Sequence, residues 1–225
     1  MCDAEVRLIH TTDTRFIVMV ETVWLKAGIV REAALVLGGS LLIAAAAQLQ
    51  IVLPFSPVPI TAQTFAVLLI AALFGSKRGS ATVFTYLTVG ALGLPVFAGG
   101  AFGIMRLVGP TAGYLAGFLA AAFVVGLLSE RGWDRKLWTA ATSMIVGNAI
   151  IYAAGILWLS RFVGWEAVLR KGFLPFLPGD ALKIVLATVL LPTGWTFIGR
   201  SNTRFVTALP RAENSTKNRE EAEVP

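Results

Sequence analysis

Phe176-Leu177-Pro178-Gly179-Asp180-Ala181-Leu182-Lys183 opens the last long apolar segment of the chain, and Ile184-Val185-Leu186-Ala187-Thr188-Val189-Leu190-Leu191 continues it without a charge. A carboxylate and an ammonium stand three residues apart, close enough to share one helix face. At a membrane-helix centre each charge costs about 2.5 to 3.5 kcal/mol, and less towards the ends, so a retained pair marks a functional site or a structural ion pair. Asp180 at a helix start also meets the positive end of the helix dipole.

Composition supports the membrane reading. The 225 residues are 56% apolar and 14% charged, against about 25% charged in soluble domains. A membrane-crossing helix takes about 20 residues. The expected class is therefore all-α and polytopic, with six transmembrane helices near residues 33–53, 60–74, 80–94, 111–129, 137–159 and 179–198. Residues 1–32 read as a cytoplasmic or interfacial leader, with Met19 as an alternative start. Residues 33–199 form the membrane domain and 200–225 a polar cytoplasmic tail. The leader lacks the uninterrupted apolar core of a secretory signal.

The formal charge of +6 comes from dispersed basic residues, not from a stripe with interleaved aromatics, so nucleic acid is not an expected partner. Membrane orientation explains them better. Four Lys/Arg precede the first span, two lie between spans two and three, three between four and five, and five follow six. The opposite connections hold none, Arg106 alone, and three. The positive-inside rule then makes both termini cytoplasmic. Three unusual elements share the outer face: Pro54-Phe55-Ser56-Pro57-Val58-Pro59, the glycine-rich connection 96–110, and the head of the sixth span.

Cys2 and His10 are the only residues of their kinds, and both lie in the leader. Metal clusters, disulfides and Ser/His or Cys/His catalysis are thereby excluded from the spans. No Walker phosphate loop is present, so ATP hydrolysis through that apparatus is excluded too. The candidate polar contacts are Asp180 and Lys183, Arg106 in the glycine-rich connection, and Gln63, Asn148, Tyr86, Tyr114 and Tyr152 within apolar helices. Asn148 and Tyr152 share a face. Phe97 and Phe102 flank the glycines and suit an apolar ligand body. In the first span, Gly39, Ile43 and Ala47, with Ser40 and Ala44, form stripes at four-residue spacing that predict a packing face for another subunit.

Four ordered motifs carry a family resemblance: Pro54-Phe55-Ser56-Pro57-Val58-Pro59-Ile60-Thr61-Ala62-Gln63-Thr64, Gly93-Leu94-Pro95-Val96-Phe97-Ala98-Gly99-Gly100, Gly109-Pro110-Thr111-Ala112-Gly113-Tyr114, and Leu177-Pro178-Gly179-Asp180-Ala181-Leu182-Lys183. Over residues 33–199 the chain resembles BioY, the biotin-specific S component of energy-coupling factor (ECF) transporters. The resemblance implies a six-helix S-component fold in a prokaryotic plasma membrane, surrounded by lipid. It implies high-affinity capture of biotin as transported ligand, with no cofactor and no enzymatic step. The implied partners are a transmembrane coupling subunit and two ATP-binding-cassette ATPase subunits.

Carried onto this sequence, the resemblance makes Asp180 and Lys183 contacts of the biotin ureido ring. Gly99 and Gly100 match a loop motif that brings backbone to the ligand, and Tyr114 and Gln63 lie in matched stretches. Arg106 suits the valerate carboxylate by charge and position. Ala112 departs from the family's usual glycine, and the leader is longer than expected. The alternatives are an S component for another vitamin, an intramembrane enzyme using Asp180 and Lys183 as acid and base, and a structural subunit without ligand.

Overall fold

The computed structural model describes Met19 and residues 28–207; the remainder of the expected leader and tail lies outside the described residues. The helices are α1 (Ile29–Gln48), α2 (Gln63–Ala91), α3 (Ala112–Glu130), α4 (Leu137–Val163), the short α5 (Trp165–Gly172) and α6 (Leu177–Thr207). Five stretches are long and apolar enough to cross a membrane, namely α1 to α4 and the closing run that holds α5 and α6. The only sheet among the described residues is a two-rung antiparallel ladder, Gln50 with Thr61 and Ile51 with Ile60, which closes the proline-rich loop.

The helix α2 is a hairpin. Gly75, at φ 82° and ψ 180°, breaks its helical path. A straight helix would hold Gln63 and Tyr86 about 34 Å apart at 1.5 Å per residue, yet Gln63 Nε2 donates to the Tyr86 hydroxyl. The two halves therefore fold back on each other and correspond to the second and third expected spans. Their contact is tight enough that a Cβ on Gly79 would lie 2.9 Å from Ala71 Cα.

The restart of α2 after the break needs a partner for its first amide. Glu130 on α3 supplies it, its Oε1 accepting from the Ser76 amide at 2.7 Å and from the Ser76 hydroxyl at 2.8 Å. The expected five-residue turn over 75–79 thus shrinks to a single glycine.

Other boundaries move for local reasons. The helix α1 starts at Ile29 and stops at Gln48, because the chain then enters the ladder. The connection 160–178 contains α5, and α6 is longer at both ends than the expected 179–198. It reaches Thr207, so the start of the expected tail is helical.

The small-residue stripe on α1 is corrected. Gly39, Ser40, Ile43 and Ala47 are buried inside this chain, and a Cβ on Gly39 would stand 2.8 Å from Thr82 Cγ2 and 3.1 Å from Phe74. They are the seat of α1 on α2. The free side of α1 carries Ala34, Gly38, Leu41 and Ala45, all exposed and at helical spacing, with the exposed Leu49 just past its end.

At the end of the bundle opposite the proline-rich loop, the buried Asp134 accepts from Trp195 Nε1 at 2.6 Å, and Arg135 stacks 4.4 Å over the same indole. This joins the α3–α4 loop to α6. Burial pushes the Asp134 carboxyl above its ordinary range; the Trp195 hydrogen bond, a backbone hydrogen bond and the Arg135 charge oppose it.

Candidate functional site

A cavity of about 690 Å³, mouth included, opens where the proline-rich loop, the glycine-rich connection and the head of α6 meet. Proline explains the first wall: Pro54, Pro57 and Pro59 remove amide donors and restrict the preceding residues, so the segment cannot continue α1. Ser56 fixes this loop, donating to the Lys171 carbonyl of α5 at 2.6 Å while accepting from the Val58 amide at 3.1 Å. Val58 and Pro59 then face the cavity.

The glycine-rich connection forms the second wall. Gln48, the last residue of α1, donates to the Phe97 carbonyl at 3.2 Å and accepts from the Gly100 amide at 3.0 Å. Gly99 and Gly100 adopt φ of 71° and 70°, backbone that favours glycine. They let the chain turn around Gln48, and neither lines the cavity. They shape the wall, while Phe97 and Ala98 face inward. Phe97 packs edge-on against Tyr86 at 5.5 Å. Phe102 is 61% exposed and does not line the cavity.

The third wall carries the charge pair. Asp180, only 4% exposed, lies in the first turn of α6. Lys183 Nζ donates to Asp180 Oδ1 at 2.7 Å, to the Thr61 carbonyl at 2.7 Å and to Thr64 Oγ1 at 3.0 Å. An ammonium has three donors, so all three are engaged. Asp180 also accepts from Thr64 through Oδ1 at 3.4 Å and from the Tyr152 hydroxyl through Oδ2. A buried ion pair needs such added hydrogen bonds to offset desolvation. The network fixes the direction of the carboxylate, whose two oxygens have about four acceptor sites.

Gln63, Arg106, Tyr114, Tyr152, Asp180 and Lys183 all line this cavity, so residues from α2, the 96–110 connection, α3, α4 and α6 converge. Several polar tips already serve the protein: Tyr114 donates to the Gly172 carbonyl at 2.7 Å, Tyr152 to Asp180, and Gln63 to Tyr86. Their rings and stems form the wall. Arg106 is exposed at the mouth. Asn148 does not line the main cavity. It sits one helical turn deeper than Tyr152, donating to the Met144 carbonyl at 3.0 Å.

The residues that sequence reasoning missed are Thr61 and Thr64, which hold Lys183, and Gln48, which holds the glycine-rich wall. Thr61 and Thr64 stand in the first quoted motif, yet only the docking of α6 gives them their partners. The remaining lining is apolar or aromatic, including Leu115, Phe118, Ile151 and Phe176. Such a cavity suits a ligand with an apolar body, hydrogen-bond donors for a fixed carboxylate, and an anionic end at the mouth.

Comparison with known proteins agrees with this geometry. The BioY family matches residues 14–200. The biotin transporter BioY of Thermotoga maritima is 43% identical over 139 residues, covering 61% of this chain and 81% of that protein. The probable biotin transporter BioY of Pyrococcus horikoshii is 40% identical over 141 residues, covering 63% and 83%. The crystal structure of an S-component for biotin from an ECF-type ABC transporter superposes with a TM-score of 0.66 at 26% identity, covering 73% of this chain and 90% of that one. With a helical membrane bundle and a family match over most of its length, the chain belongs to the BioY family.

Proposed function

We propose that this chain binds biotin and serves its uptake across the plasma membrane as the S component of an ECF-type transporter. The observation that carries the reading is the pair of buried Asp180 and half-buried Lys183 at the wall of an apolar cavity with Arg106 at its mouth. The ureido N–H groups donate to the acceptor sites left on Asp180. The ureido carbonyl takes a donor from Lys183, which gives up Thr64 or Thr61 to supply it. Phe97, Leu115, Phe118, Ile151 and Phe176 enclose the apolar body, and Arg106 meets the valerate carboxylate. The protein captures its ligand unchanged, and the cavity faces outward with both termini cytoplasmic.

Arg106→Met tests the ligand's orientation. Loss of one charge-assisted contact at a partly solvated mouth weakens biotin binding about tenfold. Biotin methyl ester, which lacks the carboxylate, binds wild type and variant alike. Equal losses for biotin and ester in titration calorimetry remove Arg106 from the carboxylate site.

Energy comes from partner subunits: a transmembrane coupling subunit and its ATPases. Their docking face is the exposed stripe of Ala34, Gly38, Leu41 and Ala45 on α1, where small residues admit another helix closely. Among the described residues, no atom lies within 4 Å of a Cβ placed on Gly38. Gly38→Leu therefore leaves biotin affinity unchanged and reduces co-purification of the coupling subunit at least about tenfold. Loss of biotin affinity in the same variant contradicts the separation of the two surfaces.

A further inference from the structure

Beneath the ligand cavity is a second, smaller one of about 190 Å³, open space at its mouth included, lined among others by Thr64, Leu68, Met144, Asn148, Lys183 and Ile184. It lies between the first half of α2, α4 and α6. Three of these residues are polar, and two of them, Thr64 and Lys183, belong to the network that holds Asp180. Asn148 does not belong to it. The residue is 6% exposed, its Nδ2 donates to the Met144 carbonyl, and its Oδ1 is buried with no donor among the described residues. The Nδ2 bond fixes the orientation of the amide and so places the unmatched oxygen.

An acceptor buried without a donor is destabilising, and an ordered water relieves it. A buried water typically makes two to four hydrogen bonds. The donors of Lys183 are already engaged, whereas Thr64 Oγ1 retains an acceptor position. It accepts from Lys183 and donates towards Asp180 Oδ1, so one of its two lone pairs remains.

We propose that this cavity is a water-binding site, in which one water donates to both Asn148 Oδ1 and Thr64 Oγ1. Asn148 is then a positioning residue of the ligand site. Through the water it fixes the hydroxyl of Thr64, and through Thr64 the relative placement of Lys183 and Asp180. It touches no ligand. The inference deepens the proposed function and rests on it for its effect on affinity, whereas the water site itself does not depend on the identity of the ligand.

The test is a double-mutant cycle in biotin affinity with Asn148→Leu, Thr64→Val and the pair, each variant also checked by thermal melting. Leucine keeps the branched four-atom skeleton of asparagine, its bulkier methyl ends extend towards the cavity, and it brings no acceptor. Each single change weakens biotin binding about fivefold to tenfold. The pair loses no more than the worse single change, because both cut the same bridge. Wild-type affinity in Asn148→Leu, or losses that multiply, overturns the positioning role. Should Asn148→Leu not fold, Asn148→Ala takes its place in the cycle with the same expectations. If the wild type fails to bind biotin, the functional reading falls, and the water site is judged by diffraction from the wild type near 2 Å. Density within hydrogen-bond reach of Asn148 Oδ1 and Thr64 Oγ1 supports it, and a dry cavity refutes it.

Discussion

Asp180→Asn is expected to weaken biotin binding about a hundredfold in a protein that still folds. The amide keeps the shape but loses the charge that both Lys183 and the ureido N–H groups seek. Hydrogen bonds to a charged group contribute about 1.5–3 kcal/mol each, and about 1.4 kcal/mol is a factor of ten in affinity. Lys183 retains the Thr61 carbonyl and Thr64, so its ammonium is not stranded entirely. Tyr152 loses a carboxylate acceptor and gains an amide oxygen in the same place. Calorimetry on detergent-purified variant, alongside a melting curve, separates affinity from folding. A folded variant with wild-type affinity takes Asp180 out of the ligand site.

Gly126→Val is expected to have the largest effect on the fold. A Cβ on Gly126 would lie 2.5 Å from the Gly75 carbonyl carbon and from Ser76 Cα. These are backbone atoms of the α2 break, pinned in turn by Glu130 four residues along α3. Backbone cannot rotate aside as a side chain can, and overpacking costs about 1–3 kcal/mol or more. At roughly 2–4 °C per kcal/mol, a cost of about 3 kcal/mol lowers the melting temperature by about 6–12 °C. Displacing the break also separates Gln63 from Tyr86, so biotin affinity falls with stability. The exposed Gly38→Leu is the matched control. An unchanged melting temperature in Gly126→Val would contradict the packing of α3 against the hairpin.

The glycine at 75 shows where sequence reading ends. Gly-Ser-Lys-Arg-Gly has the composition of a turn, but Ser76, Lys77 and Arg78 are helical. The amide that would otherwise be unmatched at Ser76 is satisfied by Glu130, 54 residues away. No local pattern carries that contact. Helix α5 was hidden differently: eight residues between Gly164 and Phe173 are too few for a clear period, and its axis is fixed where Val168 is buried and Ser56 grips Lys171.

The charge pair was legible because charge in an apolar segment is costly, and Gln63 and Tyr152 were legible as polar tips in apolar helices. Asn148 met the same criterion but sits deeper, because one helical turn moves a residue about 5.4 Å along the axis. The stripe on α1 was visible as a pattern. Its direction was not, since a helix with small residues on more than one side offers two faces. Burial of Gly39 against Thr82 and Phe74 decides between them. Gln48 gave no signal at all, because its partners are backbone groups of a loop about 50 residues later.

Selectivity among vitamins tests the central claim most directly. Purified wild-type protein in detergent or nanodiscs is titrated with biotin, riboflavin and thiamine. The proposed match of the Asp180–Lys183 pair to a ureido ring predicts saturable one-site binding of biotin that excess riboflavin or thiamine does not displace. Tighter binding of riboflavin or thiamine, or no saturable binding of biotin, would contradict it.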